Sequence, residues 1–404
     1  MHVLGTCESI LHGLSFLALA TLRQVSRYHK LRRRLLQILV LIVVLRSTAD
    51  VILVRRHLNE EQTRLDYKPP ERQRIFIASV INNGRSLPEG WNEAVVGLAD
   101  AFGSDNIFVS IYETGSSENT KNSLHDLDKS LETNRIGRRV ITSVTEPQNA
   151  ASRDHDSHHP PYIPQLRNKC LEPLYDLRGA GLFFDRILFL SDIAFTTEDV
   201  LSLLSTNYGT YTAACSFDPL SFPAYNDPSA LRDADGYEPV MQKWPFFRSS
   251  RSRDDIKSML PVRVRSCWDG MVFMATEAFY STSSSIQFRR VPDGLAEAHL
   301  EASECCLIHA DNVLSGRRGV YLNPFVRVGH GSATKPAVHP NNPCFTTWDI
   351  IKSIWENRLR RWFTFPNLAR WPLQRKFSVW ESQDEHHKER GDFCLINKHQ
   401  PPVT

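Results

Sequence analysis

A chain of 404 residues, 41% hydrophobic and 23% charged, can bury the core of one large domain or two ordinary ones, which excludes a disordered tail or a low-complexity scaffold. Its net charge of +3, from 48 Lys and Arg against 45 Asp and Glu, gives no case for a nucleic-acid binder. Much of that small excess is local: Arg23, Arg27, Lys30, Arg32, Arg33 and Arg34 sit together directly before an apolar segment.

That segment, residues 35–54, has the length of about 20 residues that a membrane span needs. Its two charges, Arg46 and Asp50, are four apart and share one helix face, where they can pair. More basic charge lies before it than in the Arg55, Arg56 and His57 that follow. The positive-inside rule therefore predicts a cytosolic tail 1–34, a transmembrane anchor 35–54 and a lumenal remainder. A shorter apolar stretch, residues 10–22, carries His12 and reads as interfacial or as an extra span; the basic cluster follows it, which argues against a cleavable signal peptide. Residues 55–73, with Pro69-Pro70, read as a polar stem.

From residue 74 strands and helices alternate. Residues 74–81 are a near-continuous apolar strand ended by Asn82-Asn83-Gly84, and residues 87–102 a helix with Pro88 near its start and Gly103 just past its end. A strand at 106–112, closed by residues 113–117, a helix at 119–133 and a strand at 138–142 follow. Residues 145–164 hold four prolines and His155, His158 and His159; they read as a loop, because nothing in the histidine spacing fixes a metal geometry. Residues 167–177 read as one helix leading into 184–195, whose apolar run Ile187–Leu190 is a buried strand that stops at Ser191-Asp192. Another helix is expected at 199–205. This alternation predicts an α/β domain with a mostly parallel sheet and right-handed crossovers. After Ala213 the pattern loosens into short segments up to about His330. Residues 345–363, rich in Trp and basic residues, read as a surface or packing helix, and 383–392 as an exposed charged stretch.

There are eight cysteines, none spaced C-x-x-C, which argues against zinc. Seven would face an oxidising lumen, where disulfides persist, and Cys305-Cys306 reads as one disulfide member beside one buried thiol.

A carboxylate at the C-terminal end of a buried parallel strand lies where open α/β sheets bind ligands, and it can hold a divalent cation that in turn holds phosphate. Asp192 has that position. Asn82, Glu113 and Ser116 follow the two early strands at the same sheet edge and line the same cleft. Arg167 offers a cation for phosphate, and Asn168 an amide for a base or sugar. Trp268-Asp269-Gly270 combines an aromatic plate, a carboxylate and a residue permitting close approach. Glu304 is an acid in an apolar setting. Each has a plainer structural reading: a cap for Asp192, core packing for Trp268, a structural acid for Glu304. Asp233 and Asp235 mimic a metal-binding pair, but they lie in a loop before the turn-forming Gly236, so a structural or acceptor-loop role is expected.

Eight phrases in order carry a resemblance: Ile75-Phe-Ile-Ala-Ser79, Phe108-Val-Ser-Ile-Tyr-Glu-Thr-Gly-Ser116, Arg167-Asn-Lys-Cys-Leu-Glu-Pro-Leu174, Ile187-Leu-Phe-Leu-Ser-Asp-Ile193, Arg232-Asp-Ala-Asp-Gly236, Ser266-Cys-Trp-Asp-Gly-Met271, Ala302-Ser-Glu-Cys-Cys306 and Asn323-Pro-Phe-Val-Arg-Val328. Over roughly Ile75 to Val328 the chain resembles the fungal capsule-associated α-1,3-mannosyltransferases, glycosyltransferase family 69. The resemblance implies a nucleotide-sugar-binding A-type glycosyltransferase fold, a Rossmann-like mixed sheet behind an N-terminal transmembrane anchor. It implies a single-pass type II Golgi membrane protein with a lumenal catalytic domain, 74–345, and a C-terminal extension, 346–404. It further implies transfer of mannose from GDP-mannose to a mannose hydroxyl of a glycan acceptor, α-1,3 with retention, and a Mn2+ requirement. On that reading Asp192, Asp269 and Glu304 are catalytic; Asn82, Glu113, Ser116, Arg167, Asn168 and Ser191 bind the donor; Trp268 and Gly270 meet acceptor or sugar; and Asp192 carries the metal. Ser191 stands where the family commonly has Asn, so only one local acid is supplied, and Asp218, His309 and His330 are the candidate metal partners. The lone acid keeps two rivals open: a catalytically silent glycan-binding or polysaccharide-export accessory protein on the same scaffold, and a transferase of another sugar.

Overall fold

The computed structural model describes residues 32–56, 73–82, 87–142, 163–217, 219–221, 224–225, 230–281, 285–330 and 346–397. The stretch 10–22, nearly all of the stem, most of the loop 145–164 with its histidines, Asp218, Cys7 and Cys344 lie outside the described residues. Two compact units are distinguished. The described residues of the first form one helix, α1 (Arg32–Arg56), 25 residues long and apolar enough to cross a membrane by length and composition.

The second unit is an α/β domain on a nine-stranded mixed sheet. Its first half is β1 (Ile75–Asn82), β2 (Ile107–Thr114), β3 (Gly137–Ile141) and β4 (Arg186–Leu190), all parallel, with β1 between β2 and β4. β1 and β4 are covered on both faces, which is why both read as continuous apolar runs. The crossovers are α2 (Trp91–Phe102) and α3 (Glu118–Thr133). Trp91, Val95 and Leu98 of α2 and Leu124, Leu127 and Leu131 of α3 recur at helical spacing and join Ile75, Ile77, Val109 and Leu188 in one buried cluster. Each such buried side chain contributes roughly 1.5–3 kcal/mol. Ser117 starts α3 by accepting the Thr120 N–H.

The helix expected at 167–177 is two helices, α4 (Ile163–Cys170) and α5 (Glu172–Gly179). Pro173 has no N–H to give the carbonyl four residues back, so the helix stops and restarts there. The next helix, α6 (Thr197–Leu204), opens with a reciprocal cap between Thr196 and Asp199.

The region after Ala213 that looked loose supplies the other five strands. Met271–Ala275 lies antiparallel between β4 and Ala213–Phe217. Val320–Arg327 runs parallel to Ala213–Phe217, followed by Val262–Ser266 and the edge pair Arg232–Asp233, each antiparallel to its neighbour. Seven strands therefore share one direction, as expected of a mostly parallel sheet, and two oppose it.

The C-terminal residues belong to this same unit. Helices Thr347–Phe363 and Pro366–Gln383 lead to a segment whose Phe393, Cys394 and Leu395 share a second core with Leu295, Leu300, Leu307 and Trp380. A Cys306–Cys394 disulfide closes that core, and the fully buried Arg232 donates to the Phe393 and Cys394 carbonyls at 2.8 and 3.2 Å. The expectation of an exposed 383–392 fails at Glu389. Its buried carboxylate and that of Asp311 both clamp Arg289, at 2.7–2.9 Å, because two acids offset the desolvation of one guanidinium.

Candidate functional site

Register alone gathers most of the expected residues on one edge. Asn82 is paired with Thr114, so β1 ends beside the Glu113–Ser116 turn, and β4 ends in the same direction at Ser191-Asp192. The antiparallel strand begins there, with Met271 opposite Leu190, and so delivers Asp269-Gly270 to that edge. The Ser191 N–H donates to the Gly270 carbonyl at 2.8 Å, laying the two segments side by side. Trp91 supports them from below, its Nε1 donating to the Ser191 carbonyl at 3.2 Å. Val328 bonds the Phe217 carbonyl, and Gly329-His330 pairs with Ile193-Ala194, so His330 joins the same edge.

The details sharpen each role. Glu113 is fully buried and accepts the Ser116 N–H at 2.7 Å, closing its own turn across Gly115, whose φ is 69°. The buried Ser116 Oγ has no hydrogen-bond partner among the described residues, so a polar group of a ligand can satisfy it. Gly270 has φ 66°, and a Cβ there would meet Ile193 and Val328 side-chain carbons at 2.9 Å. The close approach that demands glycine is therefore to the protein's own packing beneath Asp192. Asp269 is buried, and its carbonyl accepts from the Ser216 hydroxyl. Asp192 is half-buried beyond the strand end.

A second group closes one side. Arg167, near the end of α4, lies 4.6 Å from the Trp268 ring centroid and 3.2 Å from a Glu304 carboxylate oxygen. Glu304 opens the helix Glu304–Asp311, whose N-cap Ser303 accepts the Cys305 N–H, and an acid there suits the helix dipole. Burial by itself would lower the Arg167 pKa; the neighbouring Cys305 and Glu304 raise it, and the net direction is upward. Burial pushes the Cys305 thiol well above its ordinary value, so it stays protonated. Phe288 completes the group, edge-on to Trp268 at 5.6 Å, and no motif around it marks it for this place. It is placed by Asn168, whose amide bonds both the N–H and the carbonyl of Phe288, at 2.9 and 2.8 Å.

Other expected residues go elsewhere. His309 Nε2 contacts the Cys267 carbonyl at 2.8 Å, and burial pushes its pKa down to about 4. It adjoins Cys215 and Cys267, but those two sulfurs are bonded to each other and are not metal ligands. Asp233 is fully buried and accepts four backbone N–H groups, from Asp235, Tyr237, Arg248 and Ser249, so it organises a loop as expected. Cys306 is disulfide-bonded and Cys305 is a buried free thiol, also as expected. A divalent cation at this edge would find one local carboxylate, Asp192, and would draw its other donors from the ligand's own oxygens. That chemistry fits Mg2+ or Mn2+, which commonly bind through one or two carboxylates plus substrate phosphates.

A family model described as Cryptococcal mannosyltransferase 1 matches residues 74–311. No curated protein matches the chain. Among solved structures, mannosyltransferase PcManGT from Pyrobaculum calidifontis, in complex with GDP-Man and Mn2+, is 9% identical with a TM-score of 0.36, covering 87% of this chain and 95% of that one. TarS 1-349 of S. aureus is 11% identical with a TM-score of 0.34, covering 74% of each chain. Glucosyl-3-phosphoglycerate synthase from Mycobacterium tuberculosis, with Mn2+, UDP and phosphoglyceric acid, is 12% identical with a TM-score of 0.29, covering 72% of this chain and 78% of that one. Similarity this low says nothing of substrate.

Proposed function

The chain belongs to the Cryptococcal mannosyltransferase 1 family, and from that membership we propose that it transfers mannose from GDP-mannose to a mannose hydroxyl of a glycan, α-1,3 with retention. The observation that best supports this reading is the convergence of Asn82, Ser116, Asp192 and Asp269 on one sheet edge by strand register. The proposed setting is a type II Golgi membrane protein held by α1, with its catalytic domain in the lumen.

In this reaction Asp192 would hold a divalent cation, Mn2+ by preference, which when bound would supply positive charge to the diphosphate leaving group. Asn82 and Ser116 face the nucleotide, the latter through its unsatisfied hydroxyl. Arg167 adds positive charge beside the departing phosphates, held in place by Trp268 and Glu304. Trp268 presents a ring face to a sugar. Asp269 and Glu304 orient sugar and acceptor hydroxyls so that attack comes from the face the nucleotide leaves. Asn168 acts as a positioning residue, through Phe288.

The test is the purified full chain with a panel of nucleotide sugars, Mn2+ and mannobiose-type acceptors, with product linkage read by NMR. Mannose transfer from GDP-mannose that Asp192→Ala abolishes is the expected result. Absence of both transfer and donor hydrolysis overturns the proposal. The single local acid favours one rival, a silent glycan-binding protein; that rival predicts glycan binding independent of metal and no Mn2+-dependent binding of GDP.

A further inference from the structure

The loop that mimics a metal-binding pair builds something else. Its buried Asp233 carboxylate accepts the N–H groups of Tyr237 and Arg248 at 3.0 and 3.2 Å, so one acid fixes the backbone from which both side chains start. Those side chains, with Glu238, Arg360, Phe365 and Arg370, wall a cavity of about 260 Å³, and none of its lining residues belongs to the sheet-edge site. The volume is just below the roughly 300–1,000 Å³ of pockets that enclose drug-sized ligands, which suits one small ring. Arg248 is tied to the Thr364 hydroxyl at 2.5 Å, and Arg370 donates to the Gly236 and Phe393 carbonyls at 3.3 and 3.2 Å. Both guanidinium groups lie 5.9 Å from the Tyr237 ring centroid. Groups held before a ligand arrives lower the ordering cost of binding.

The charges in this hollow are mixed. Glu238 stands in the wall, 3.4 Å from Nη2 of the buried Arg232, and Arg360 is paired with Glu356 at 3.1 Å. An acceptor-only carboxylate therefore sits among donor-only guanidinium groups. A sulfate or phosphate would bring like charge against Glu238, and an apolar ligand would leave both kinds of group without partners. A polyol satisfies both. Each hydroxyl can donate to the carboxylate and accept from a guanidinium, while the C–H face of a sugar ring can lie on Phe365, which is 69% exposed.

We propose that this cavity binds one hexopyranose unit of a glycan, at a site separate from the strand edge, and so grips a long acceptor at a second point. The proposal rests on reading the chain as a protein that handles glycans, which family membership supports; it does not require that the chain be catalytic. Attachment at two points raises the effective concentration of acceptor ends at the strand edge, so long acceptors gain more than short ones.

The test uses the full chain in detergent, with α-linked mannotriose as probe and neither GDP-mannose nor metal present. Saturation-transfer NMR is expected to show binding with a Kd on the order of 1 mM. Phe365→Ala and Glu238→Ala are each expected to weaken it at least about fivefold, and Asp192→Ala to leave it unchanged. The exposed Phe365 can be removed without opening the core, so Phe365→Ala decides the matter alone if Glu238→Ala does not fold. In transfer assays both variants should raise KM for a mannan oligosaccharide at least about fivefold while kcat, KM for mannobiose and hydrolysis of GDP-mannose stay within about twofold. Mannotriose affinity that Phe365→Ala does not change overturns the proposal, as does displacement of mannotriose by inorganic phosphate, which would make the hollow an oxyanion site. With normal mannose transfer, those results sink this proposal alone. Variant-sensitive mannotriose binding without any transfer sinks the transferase reading and leaves this one standing.

Discussion

Removing the Arg167 guanidinium is expected to expose how closed the candidate site is. Arg167 and Glu304 are 3.2 Å apart, with side chains 17% and 5% exposed. At an effective dielectric constant of about 20, unit charges at that distance attract by about 5 kcal/mol. Arg167→Met keeps most of the stem and takes the neighbouring cation from the buried Glu304 carboxylate, which costs about 3–5 kcal/mol. Loss of the contact over Trp268 adds about 1 kcal/mol. For a unit spanning residues 73–397, an unfolding entropy of ~2.1 cal/mol/K per residue makes 1 kcal/mol worth about 1.5 °C, so the melting temperature falls by roughly 6–9 °C. The double variant Arg167→Met/Glu304→Gln removes the buried negative charge along with its cation and recovers at least about half of that loss. Thermal and urea unfolding of both single variants and the double measure the coupling. A cost below about 1 kcal/mol, with coupling inside ~0.5 kcal/mol, would show a solvent-screened pair and refute the reasoning. Activity separates the two roles of Glu304. If it only braces Arg167, Glu304→Gln leaves the rate per folded molecule within about threefold; if it acts on a reacting sugar, the rate falls by about 10²-fold or more.

Asp192→Ala should reduce Mn2+-dependent GDP binding, followed by calorimetry, by about 10²-fold while leaving the melting temperature within ~2 °C; equal affinity with and without metal in the wild type would sink the assignment. Folded His309 has a pKa near 4 against 6.5 in the unfolded chain. Only the unfolded state takes up a proton between those values, so stability declines as pH falls through that window, by up to about 1.4 kcal/mol per pH unit. His309→Asn should flatten that part of the melting-temperature profile, and an unchanged slope argues against it. Replacing Cys306 and Cys394 together by Ser opens a link between positions 88 apart and should cost about 4–5 kcal/mol by urea unfolding. Gly270→Ala forces a Cβ to within 2.9 Å of Ile193 and Val328 at a positive φ; a loss of about 1–3 kcal/mol with weakened donor binding is expected, and a neutral variant contradicts the packing account.

The parallel half of the sheet was legible because each of its signals is local. Continuous apolar runs announced β1 and β4, and heptad-like Leu124, Leu127 and Leu131 announced α3. Pro173 is visible too, but apolar spacing continues across it, so spacing alone predicts one helix where there are two. The later strands were hard to see because Pro, Gly and aromatic residues interrupt the sequence between them and no regular helix spacing separates them, although Val320–Arg327 is as long as β1; even so, Val262, Val264 and Ser266 do alternate inward against Arg263 and Arg265. At the site, strand-end position was enough to group Asn82, Glu113, Ser116 and Asp192. The Arg167–Glu304 pair could not be read, since 137 positions separate the partners and nothing in either neighbourhood encodes the other. Phe288 was invisible for a related reason: its place depends on backbone bonds to Asn168.

The bond between Cys215 and Cys267 ends one residue before Trp268 and pins the root of the Trp268–Gly270 segment to a central strand. Assembly of the site thus has an order. The parallel layer, held by apolar contacts, needs no oxidant, whereas the segment that brings Trp268 and Asp269 to the edge is held both by strand pairing and by a covalent link that forms only when two thiols are oxidised. In a reducing compartment that link would be absent, and the root of the Trp268–Gly270 segment would rest on its hydrogen bonds and strand pairing alone.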